Sequence, residues 1–207
     1  MCGRVTQKNT TKEFEENIYG YEAQAEFAPR YNIKPTQNLS VVISIDGTSI
    51  ETVEARWWLQ KANTREWSIK FKTFNARKDG LETSFLYGPA LKNRRCVVPV
   101  SSYYEWDQKV KGKPPFEFSL EEKPFGLAGL WNYWFDEDNQ RKHSFTVITT
   151  EPTDFINQYH NRMPIIFDNL ESQETWLKEG GIEHLTQYER PIRVERLADN
   201  IEVLYPN

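Results

Sequence analysis

The chain has 207 residues, a formal net charge of −4 and an aromatic content of 14%. This length suits one domain, and so many aromatic residues can build a core, which excludes an intrinsically disordered chain. The acidic total argues against a protein that binds polyanions over its whole surface, and the longest apolar runs, such as Val97–Val100, are too short to span a membrane.

The first predicted elements are a short helix and a hairpin. Thr10-Thr11-Lys12-Glu13 has the pattern of a capping box and predicts a helix that ends near Ile18. Val41–Ile45 and Ile50–Trp58 are predicted strands. Asp46-Gly47 between them supplies the positive φ that a tight turn needs.

The rest of the chain predicts more short strands and a few short helices. Strands are predicted from β-branched and aromatic content at Cys96–Val100, Phe116–Leu120, Phe125–Trp131, Phe145–Thr149, Arg193–Leu197 and Ile201–Leu204. Helical segments are predicted at Thr153–Tyr159 with Thr153 as the cap, at Glu171–Glu179 ended by Gly180-Gly181, and at Ile182–Tyr188. This pattern predicts one α+β domain over residues 1–207 with a mainly antiparallel sheet or barrel.

Charge is unevenly distributed along the chain. Residues 56–106 carry ten Lys or Arg and four acidic residues, whereas the flanking parts are acidic. The basic stretch also contains Trp57, Trp58, Trp67 and Trp106, and interleaved cations and aromatic rings suit single-stranded nucleic acid. The other interpretation is a solvated charged face above buried aromatic residues.

Cys2 is the most distinctive residue. Removal of Met1 would leave it with a free α-amine next to its thiol, a 1,2-aminothiol that condenses with an aldehyde to an imine and then closes to a thiazolidine. The same pair also suits an N-terminal-nucleophile hydrolase, and an incidental second residue is the third interpretation. Cys96 is predicted to be a buried strand thiol. Because the first residues contain no apolar signal segment, both thiols are expected to be reduced in the cytoplasm.

Three other residues could serve this chemistry. Glu105 stands among aromatic residues in Tyr103-Tyr104-Glu105-Trp106, and partial burial would raise its pKa enough to transfer protons near neutral pH. His160 could relay a proton, and the Asn75 amide could hold the terminal amine. The three histidines show no metal-binding spacing, and no nucleotide-binding loop is present, so neither a metal nor a cofactor is predicted.

Several motifs follow one another along the chain: Met1-Cys2-Gly3-Arg4, Arg30-Tyr31-Asn32-Ile33-Lys34-Pro35, Phe74-Asn75-Ala76-Arg77, Arg94-Arg95-Cys96-Val97-Val98-Pro99, Tyr104-Glu105-Trp106, Leu127-Ala128-Gly129-Leu130-Trp131, Phe145-Thr146-Val147-Ile148-Thr149-Thr150 and His160-Asn161-Arg162-Met163-Pro164. Together, in this order and over about residues 2–180, they resemble the SOS response-associated peptidase family of abasic-site processing proteins.

The resemblance implies a fold and a reaction. The fold would be a compact, distorted antiparallel β-barrel with short flanking helices and a basic channel for single-stranded DNA. The cysteine that matches Cys2 would attack the ring-opened aldehyde of an abasic site and form a thiazolidine DNA–protein crosslink that shields the lesion in the DNA damage response. A lyase activity and reversal of the crosslink are also implied. The protein is expected to act as a monomer, without a membrane or a metal.

The resemblance also implies roles for individual residues. Asn75 would hold the terminal amine and the sugar, while Glu105 and His160 would move protons. Arginines that contact phosphates match Arg4, Arg77 and Arg162. A proline that wedges beside the bases matches Pro35. Trp67, Trp106 and Thr149 complete the expected DNA-binding set.

Two segments depart from the family pattern. The family's Trp-Gly-Leu-x-Pro is replaced by Trp57-Trp58-Leu59-Gln60-Lys61, so the loop over 58–70 is expected to differ. An insertion, Lys78-Asp79-Gly80-Leu81-Glu82-Thr83, follows Arg77. The DNA contacts of both segments are therefore open.

Two other functions remain open at this point. A thiol peptidase or amidohydrolase could use the same N-terminal cysteine and would turn over a peptide or amide without DNA. A non-catalytic module that binds single strands or modified bases would use the basic, aromatic surface alone and would form no adduct.

Overall fold

The computed structural model describes residues 2–23, 29–121, 123–197 and 201. The strands are β1 (Val5–Gln7), β2 (Arg30–Ile33), β3 (Asn38–Ile45), β4 (Ser49–Trp57), β5 (Asn75–Arg77), β6 (Arg95–Val100), β7 (Ser102–Trp106), β8 (Pro115–Ser119), β9 (Phe125–Phe135), β10 (Arg141–Thr150), β11 (Met163–Pro164), β12 (Ile166–Phe167) and β13 (Arg193–Arg196). The helices are α1 (Thr11–Asn17), α2 (Gly88–Asn93) and α3 (Leu170–Lys178), and 3-10 turns lie at Lys78–Gly80, Ile156–Gln158 and Ile182–His184.

Five strands close into a barrel. The order is β4, β3, β6, β9 and β10, and β10 returns to β4 in a parallel pairing that aligns Phe145 with Trp57. Beyond the Phe145–Trp57 pair, β10 continues and pairs with β5, also in parallel, so that Val147 faces Asn75. The predicted barrel is therefore confirmed, and the parallel pairing of β10 with β5 brings β5 to the end of the barrel.

Two barrel strands, β3 and β6, are buried on both faces over most of their length, which explains their apolar sequences, whereas β4 has many exposed or half-buried polar residues. Along β3, Val41 and Ile43 point into one hydrophobic core, whereas Val42 points into a second core on the opposite face. Along β6, Cys96 and Val98 likewise belong to the first core and Val97 to the second. A strand covered on both sides has no polar face, so period-2 alternation is absent from its sequence.

A separate antiparallel sheet packs on the barrel. Its order is β13, β8, β7, β1 and β2. Val5 of β1 and Tyr103 of β7 belong to the same buried core as Val147 of the barrel. The sheet and the barrel therefore share one core in a single compact domain, and β7 and β1 carry residues to the junction between the two.

The helices cover the outer face of the barrel, and Arg95 holds two of them in place. The Arg95 guanidinium is buried, with 4% exposure, and donates to the backbone carbonyls of Leu91, Lys92, Trp176, Leu177 and Lys178 at 2.6–3.3 Å. These carbonyls lie at the C-terminal ends of α2 and α3, where backbone acceptors lack helical partners and a cation is favoured.

Replacing Arg95 with Met is expected to destabilise the fold by about 3–5 kcal/mol, because several buried carbonyls would lose their only charged donor. Urea denaturation of the variant measures this loss. Lys92→Met, at an exposed position one turn away, is the control and should change the free energy of unfolding little. An Arg95→Met protein as stable as the unmodified chain would remove this role.

Most predicted elements are confirmed, with three informative differences. The capping box is present, since Thr10 Oγ1 accepts from Glu13 N and the Glu13 carboxylate accepts from Thr10 N. The helix predicted at Thr153–Tyr159 is reduced to a 3-10 turn at Ile156–Gln158, and its N-cap is Phe155 rather than Thr153, although Thr153 Oγ1 accepts from Ile156 N at 3.3 Å. The helix predicted at Ile182–Tyr188 is also only a 3-10 turn, at Ile182–His184, and beyond it the Gln187 side chain donates to the carbonyls of Glu151 and Pro152.

Strand lengths were the other difference. β9 runs to Phe135 and β10 begins at Arg141, so this hairpin is longer than Phe125–Trp131 and Phe145–Thr149 predicted. The strand predicted at Ile201–Leu204 lies, beyond Ile201, outside the described residues.

Candidate functional site

Cys2 lies at the junction between the barrel and the second sheet. It has no exposed surface, and strand pairing fixes its position: Tyr104 N donates to Arg4 O, and Val5 faces Tyr103. This register carries the residues before β1 along the end of β7, beside Glu105. The backbone N–H of Arg4 points at the Cys2 sulfur, while burial and, second, the negative charge of Glu105 raise the pKa of the thiol far above its ordinary value. The thiol is therefore protonated at rest.

Glu105 is the buried acid of the site. Its side chain is only 2% exposed, and burial raises its pKa to about 7. The predicted burial of Glu105 is confirmed. A carboxyl with this pKa is present in both protonation states near neutral pH, so it can donate and accept protons.

His160 faces Glu105. His160 Nε2 lies 3.9 Å from Glu105 Oε2, while His160 Nδ1 accepts from the backbone N–H of Arg162 at 3.1 Å. Burial lowers the pKa of His160 to about 4, so the imidazole is neutral near pH 7. Because Nδ1 is an acceptor, the single proton of the neutral ring is on Nε2, the nitrogen nearest Glu105.

Asn75 offers an amide with open hydrogen-bonding capacity. The residue is 9% exposed, and neither its Oδ1 nor its Nδ2 has a hydrogen-bond partner within the described part of the chain. Its backbone carbonyl, by contrast, accepts from the Tyr87 hydroxyl at 3.4 Å, and its strand partner Val147 belongs to the same buried core as Cys2. A buried amide whose oxygen and nitrogen both lack hydrogen-bond partners destabilises the folded protein unless a ligand supplies the missing hydrogen bonds.

Tyr103 is a site residue that sequence reasoning missed. It lies two positions before Glu105 on β7, so both side chains point to the same face of the strand. Its hydroxyl is buried without a hydrogen-bond partner among residues 2–23, 29–121, 123–197 and 201. After burial, the charges of Glu105 and Cys2 raise the pKa of this hydroxyl. The spacing was visible in the sequence, but the ring was counted there only as an aromatic residue.

The first group of expected DNA contacts consists of half-buried residues. The Arg4 guanidinium carbon lies 5.3 Å from the centroid of the Trp106 ring, so these two form one cation–π pair beside Cys2. Pro35 is second in a turn closed by a bond from Gln37 N to Lys34 O, with φ of 83° at Thr36, as in a type II turn. Trp67 packs 5.1 Å from Trp134 and lies beneath Arg56.

The second group of expected DNA contacts contains one exposed residue, Arg77, and two buried ones, Thr149 and Arg162. Arg77 is exposed at the end of β5, as a phosphate contact requires. Thr149 is fully buried, and its hydroxyl donates to the carbonyl of Ala76 at 3.3 Å, so it holds β5 against β10. Arg162 is 4% exposed; it donates to Thr149 O at 2.8 Å and forms ion pairs with Glu151 and Asp79. Both of these acids are largely exposed, so an incoming phosphate would have to displace them.

The described residues contain neither a candidate metal-binding group nor a helix that could span a membrane. No group of three or more His, Cys, Asp or Glu side chains there could hold a metal ion. Likewise, none of the helices described above is long and apolar enough to cross a membrane.

The SOS response associated peptidase (SRAP) family model matches residues 1–201. The chain belongs to this family. It is 32% identical over 181 residues to the abasic site processing protein YoqW of Bacillus subtilis, a match that covers 86% of this chain and 80% of that protein. It is 29% identical over 188 residues to the abasic site processing protein HMCES of Xenopus tropicalis, where the match covers 75% of this chain and 56% of that protein.

Solved structures show the same fold. A crystal structure of a protein from Bacteroides thetaiotaomicron has a TM-score of 0.81 and 18% sequence identity, and the match covers 98% of this chain and 94% of that one. A second, from Bordetella bronchiseptica, has a TM-score of 0.75 and 19% identity and covers 95% and 100% of the two chains.

Proposed function

We propose that this chain processes abasic sites in single-stranded DNA and that, once Met1 is removed, Cys2 forms a thiazolidine crosslink with the ring-opened aldehyde. One observation carries the chemical part of this proposal: Cys2, Glu105 and His160 are all buried, and the Glu105 carboxyl interacts with the Cys2 thiol and lies 3.9 Å from the His160 imidazole. The relatives named above, which are abasic site processing proteins, support the choice of substrate.

The reaction balances without an external reagent. The α-amine of Cys2 adds to the aldehyde carbon, and loss of water gives an imine. The thiol then adds to the imine carbon, so that a C–S bond forms and the thiol proton moves to nitrogen. The product is a five-membered ring, and the net change is the loss of one water molecule.

The protonation states of the site fit these steps. Protonated Glu105 can donate to the sugar oxygen as the ring opens and to the departing hydroxyl as the imine forms, and its carboxylate can then accept the thiol proton. Neutral His160 carries its single proton on Nε2, so it can donate towards the Glu105 carboxylate and stabilise the ionised form of that acid after the acid has given up its proton. The open amide of Asn75 can accept from the amine and donate to a sugar hydroxyl.

The resting state of Cys2 favours this chemistry over a peptidase. A thiol peptidase attacks with a thiolate, which needs a cationic neighbour or a lowered pKa. At Cys2 burial and the charge of Glu105 disfavour the thiolate and outweigh the groups that favour it, among them the backbone N–H of Arg4. In the crosslinking reaction the thiol adds only after the amine has made an electrophilic imine, so a protonated thiol is sufficient at rest.

The imine intermediate also provides a route to lyase activity. Loss of the proton α to the imine would break the 3′ C–O bond and give lyase activity, in competition with ring closure. The proposal also includes reversal of the crosslink, a monomeric protein in the cytoplasm and action without a metal or cofactor.

The test is a denaturing gel of the purified protein after incubation with a single-stranded oligonucleotide that carries one abasic site. We expect a heat-stable shifted band with the abasic strand and none with the same strand containing an intact base. Turnover of peptide substrates with no shifted band would select the peptidase, and equal reversible binding of both strands would select the binding module.

A further inference from the structure

Two segments that each contain a departure from the family pattern meet next to the candidate site. The first, residues 58–74, extends beyond the divergent loop over 58–70 and leads directly into Asn75. The second, residues 78–87, extends beyond the insertion over 78–83 and ends at Tyr87, whose hydroxyl donates to Asn75 O. The two segments also touch each other, since Lys61 Nζ lies 5.3 Å from the centroid of the Phe85 ring. They therefore form one surface that borders the residue proposed to hold the amine and the sugar.

This surface has a defined conformation. Trp58 packs 5.1 Å from Phe74 and donates from Nε1 to Phe71 O at 2.9 Å. The Gln60 side chain bonds both the N–H and the carbonyl of Ser68 at 3.0 Å, which closes the loop across its base. In the second segment, Ser84 Oγ accepts from the backbone N–H of Tyr87 at 3.1 Å. Side chains at the tips of these segments are thus presented by an anchored backbone.

The tips present large apolar side chains to solvent. Phe85 is 81% exposed, Phe71 71% and Ile69 57%, which are unusual values for residues of this size. Each ring also has a cation close to it: Lys61 near Phe85, and Lys70 Nζ 5.8 Å from the Phe71 centroid. We call this set of five residues, Lys61, Ile69, Lys70, Phe71 and Phe85, the aromatic platform.

The charge of the surrounding segment favours a polyanion. Residues 56–87 carry seven Lys or Arg against three Asp or Glu, in a chain whose total charge is −4. An apolar partner would be expected to meet a continuous hydrophobic patch, whereas here single rings alternate with lysines. Rings that stack on bases, with cations spaced to reach phosphates, are the pattern of sequence-tolerant binding to single strands.

We propose that the aromatic platform binds the single-stranded DNA that flanks the reacting nucleotide, with Phe71 and Phe85 stacking on bases and Lys61 and Lys70 contacting phosphates. This inference rests on the proposed function, because it takes the occupant of the neighbouring site to be an abasic nucleotide. Stacking would replace the cation over each ring with a base and release the lysine to the backbone. The platform would therefore add affinity for longer strands without touching the reacting atoms.

The experiment compares strand lengths. Binding of fluorescent, intact oligothymidylates of about 5 and about 20 nucleotides is measured for the unmodified chain and for the Phe71→Ala/Phe85→Ala double variant. We expect the double variant to bind the longer strand about tenfold more weakly and the shorter strand equally well. On the longer strand, Lys61→Ala/Lys70→Ala should make the negative slope of log affinity against log salt shallower by about 1.4, because two phosphate contacts are lost.

Controls separate the platform from a general loss of structure. Leu170→Ala removes another exposed apolar side chain, at the start of α3, and should leave both affinities unchanged. Thermal melting of the double variant should match that of the unmodified chain, because both rings are largely exposed. Unchanged affinity for the longer strand, or an equal loss on both lengths, would overturn the proposal.

A parallel crosslinking assay distinguishes failure of the platform proposal from failure of the proposed function. Crosslinking is measured in parallel with an abasic strand of about 5 nucleotides, and the double variant should react with it at the rate of the unmodified chain. A length-dependent loss of binding with no crosslink in any sample would sustain the platform and reject the crosslinking reaction. A crosslink in every sample, without a length-dependent loss of binding in the double variant, would sustain the crosslinking reaction and reject the platform.

Discussion

Cys2→Ala is expected to reduce the heat-stable adduct with abasic single-stranded DNA to the background level. The variant retains the α-amine once Met1 is removed, so it can still form an imine, but no sulfur is available to close the ring and the imine hydrolyses on heating. Borohydride reduction before denaturation should therefore recover an adduct from the variant. A denaturing gel with and without borohydride measures both effects.

The chain offers a matched control for this variant. Cys96 is the other free thiol among the described residues, and it is fully buried in β6. Cys96→Ala should keep the adduct, because this thiol packs against the core rather than beside Glu105. A heat-stable adduct in Cys2→Ala as abundant as in the unmodified protein, or its loss in Cys96→Ala alone, would refute the assignment of Cys2.

Glu105→Gln is expected to slow crosslinking and, at the same time, to stabilise the protein above neutral pH. The rate should fall by about 100-fold or more, because glutamine cannot transfer protons during imine formation. Burial raises the pKa of Glu105 from an ordinary value of 4.5 to about 7, so the folded protein holds this proton more tightly than the unfolded chain does. The stability that comes with the proton is complete below pH 4.5 and is lost as the pH rises through about 7.

Glutamine cannot ionise and avoids that loss. The variant should therefore become more stable relative to the unmodified chain as the pH rises. The difference between their free energies of unfolding should increase by about 3 kcal/mol from about pH 5 to about pH 8. Urea denaturation at the two pH values measures it, with Glu117→Gln on the neighbouring strand as the control for the loss of one acidic charge. A difference that does not depend on pH, or an unchanged crosslinking rate, would contradict the role of Glu105.

Local sequence signals predicted the elements whose causes are local. The capping box at Thr10 and Glu13 depends on side chains three residues apart, and the turn at Asp46-Gly47 depends on residues that adopt positive φ, 53° and 74° here. Both were predicted correctly. Parallel closure of β10 on β4 depends instead on residues about ninety positions apart, and no local pattern reports it.

The same distinction holds for the candidate site. Cys2, Glu105 and His160 were predicted from chemistry and from the family motifs, and the structure brings them together. The tautomer of His160 was not predictable, since it is set by a backbone N–H two residues further on. The unpartnered amide of Asn75 and the unpartnered hydroxyl of Tyr103 were not predictable either, because a missing hydrogen bond is recognisable only when the surroundings of the atom are known.

The ion pairs of Arg162 show the limit of motif reasoning for DNA contacts. The motif predicts a phosphate-binding arginine, yet its guanidinium is paired with Glu151 from the end of β10 and with Asp79 from the insertion after β5. These partners come from parts of the chain far from the motif. Long-range pairing of this kind determines whether a basic residue is available to DNA.

Intact-mass measurement of the purified protein, before and after incubation with an abasic single-stranded oligonucleotide, tests the central claim most directly. The account predicts a starting mass that lacks Met1 and a product heavier by the oligonucleotide less one water molecule, stable to heating. A protein that lacks Met1 and shows no adduct, or a mass gain equal to the whole oligonucleotide, would contradict the thiazolidine crosslink.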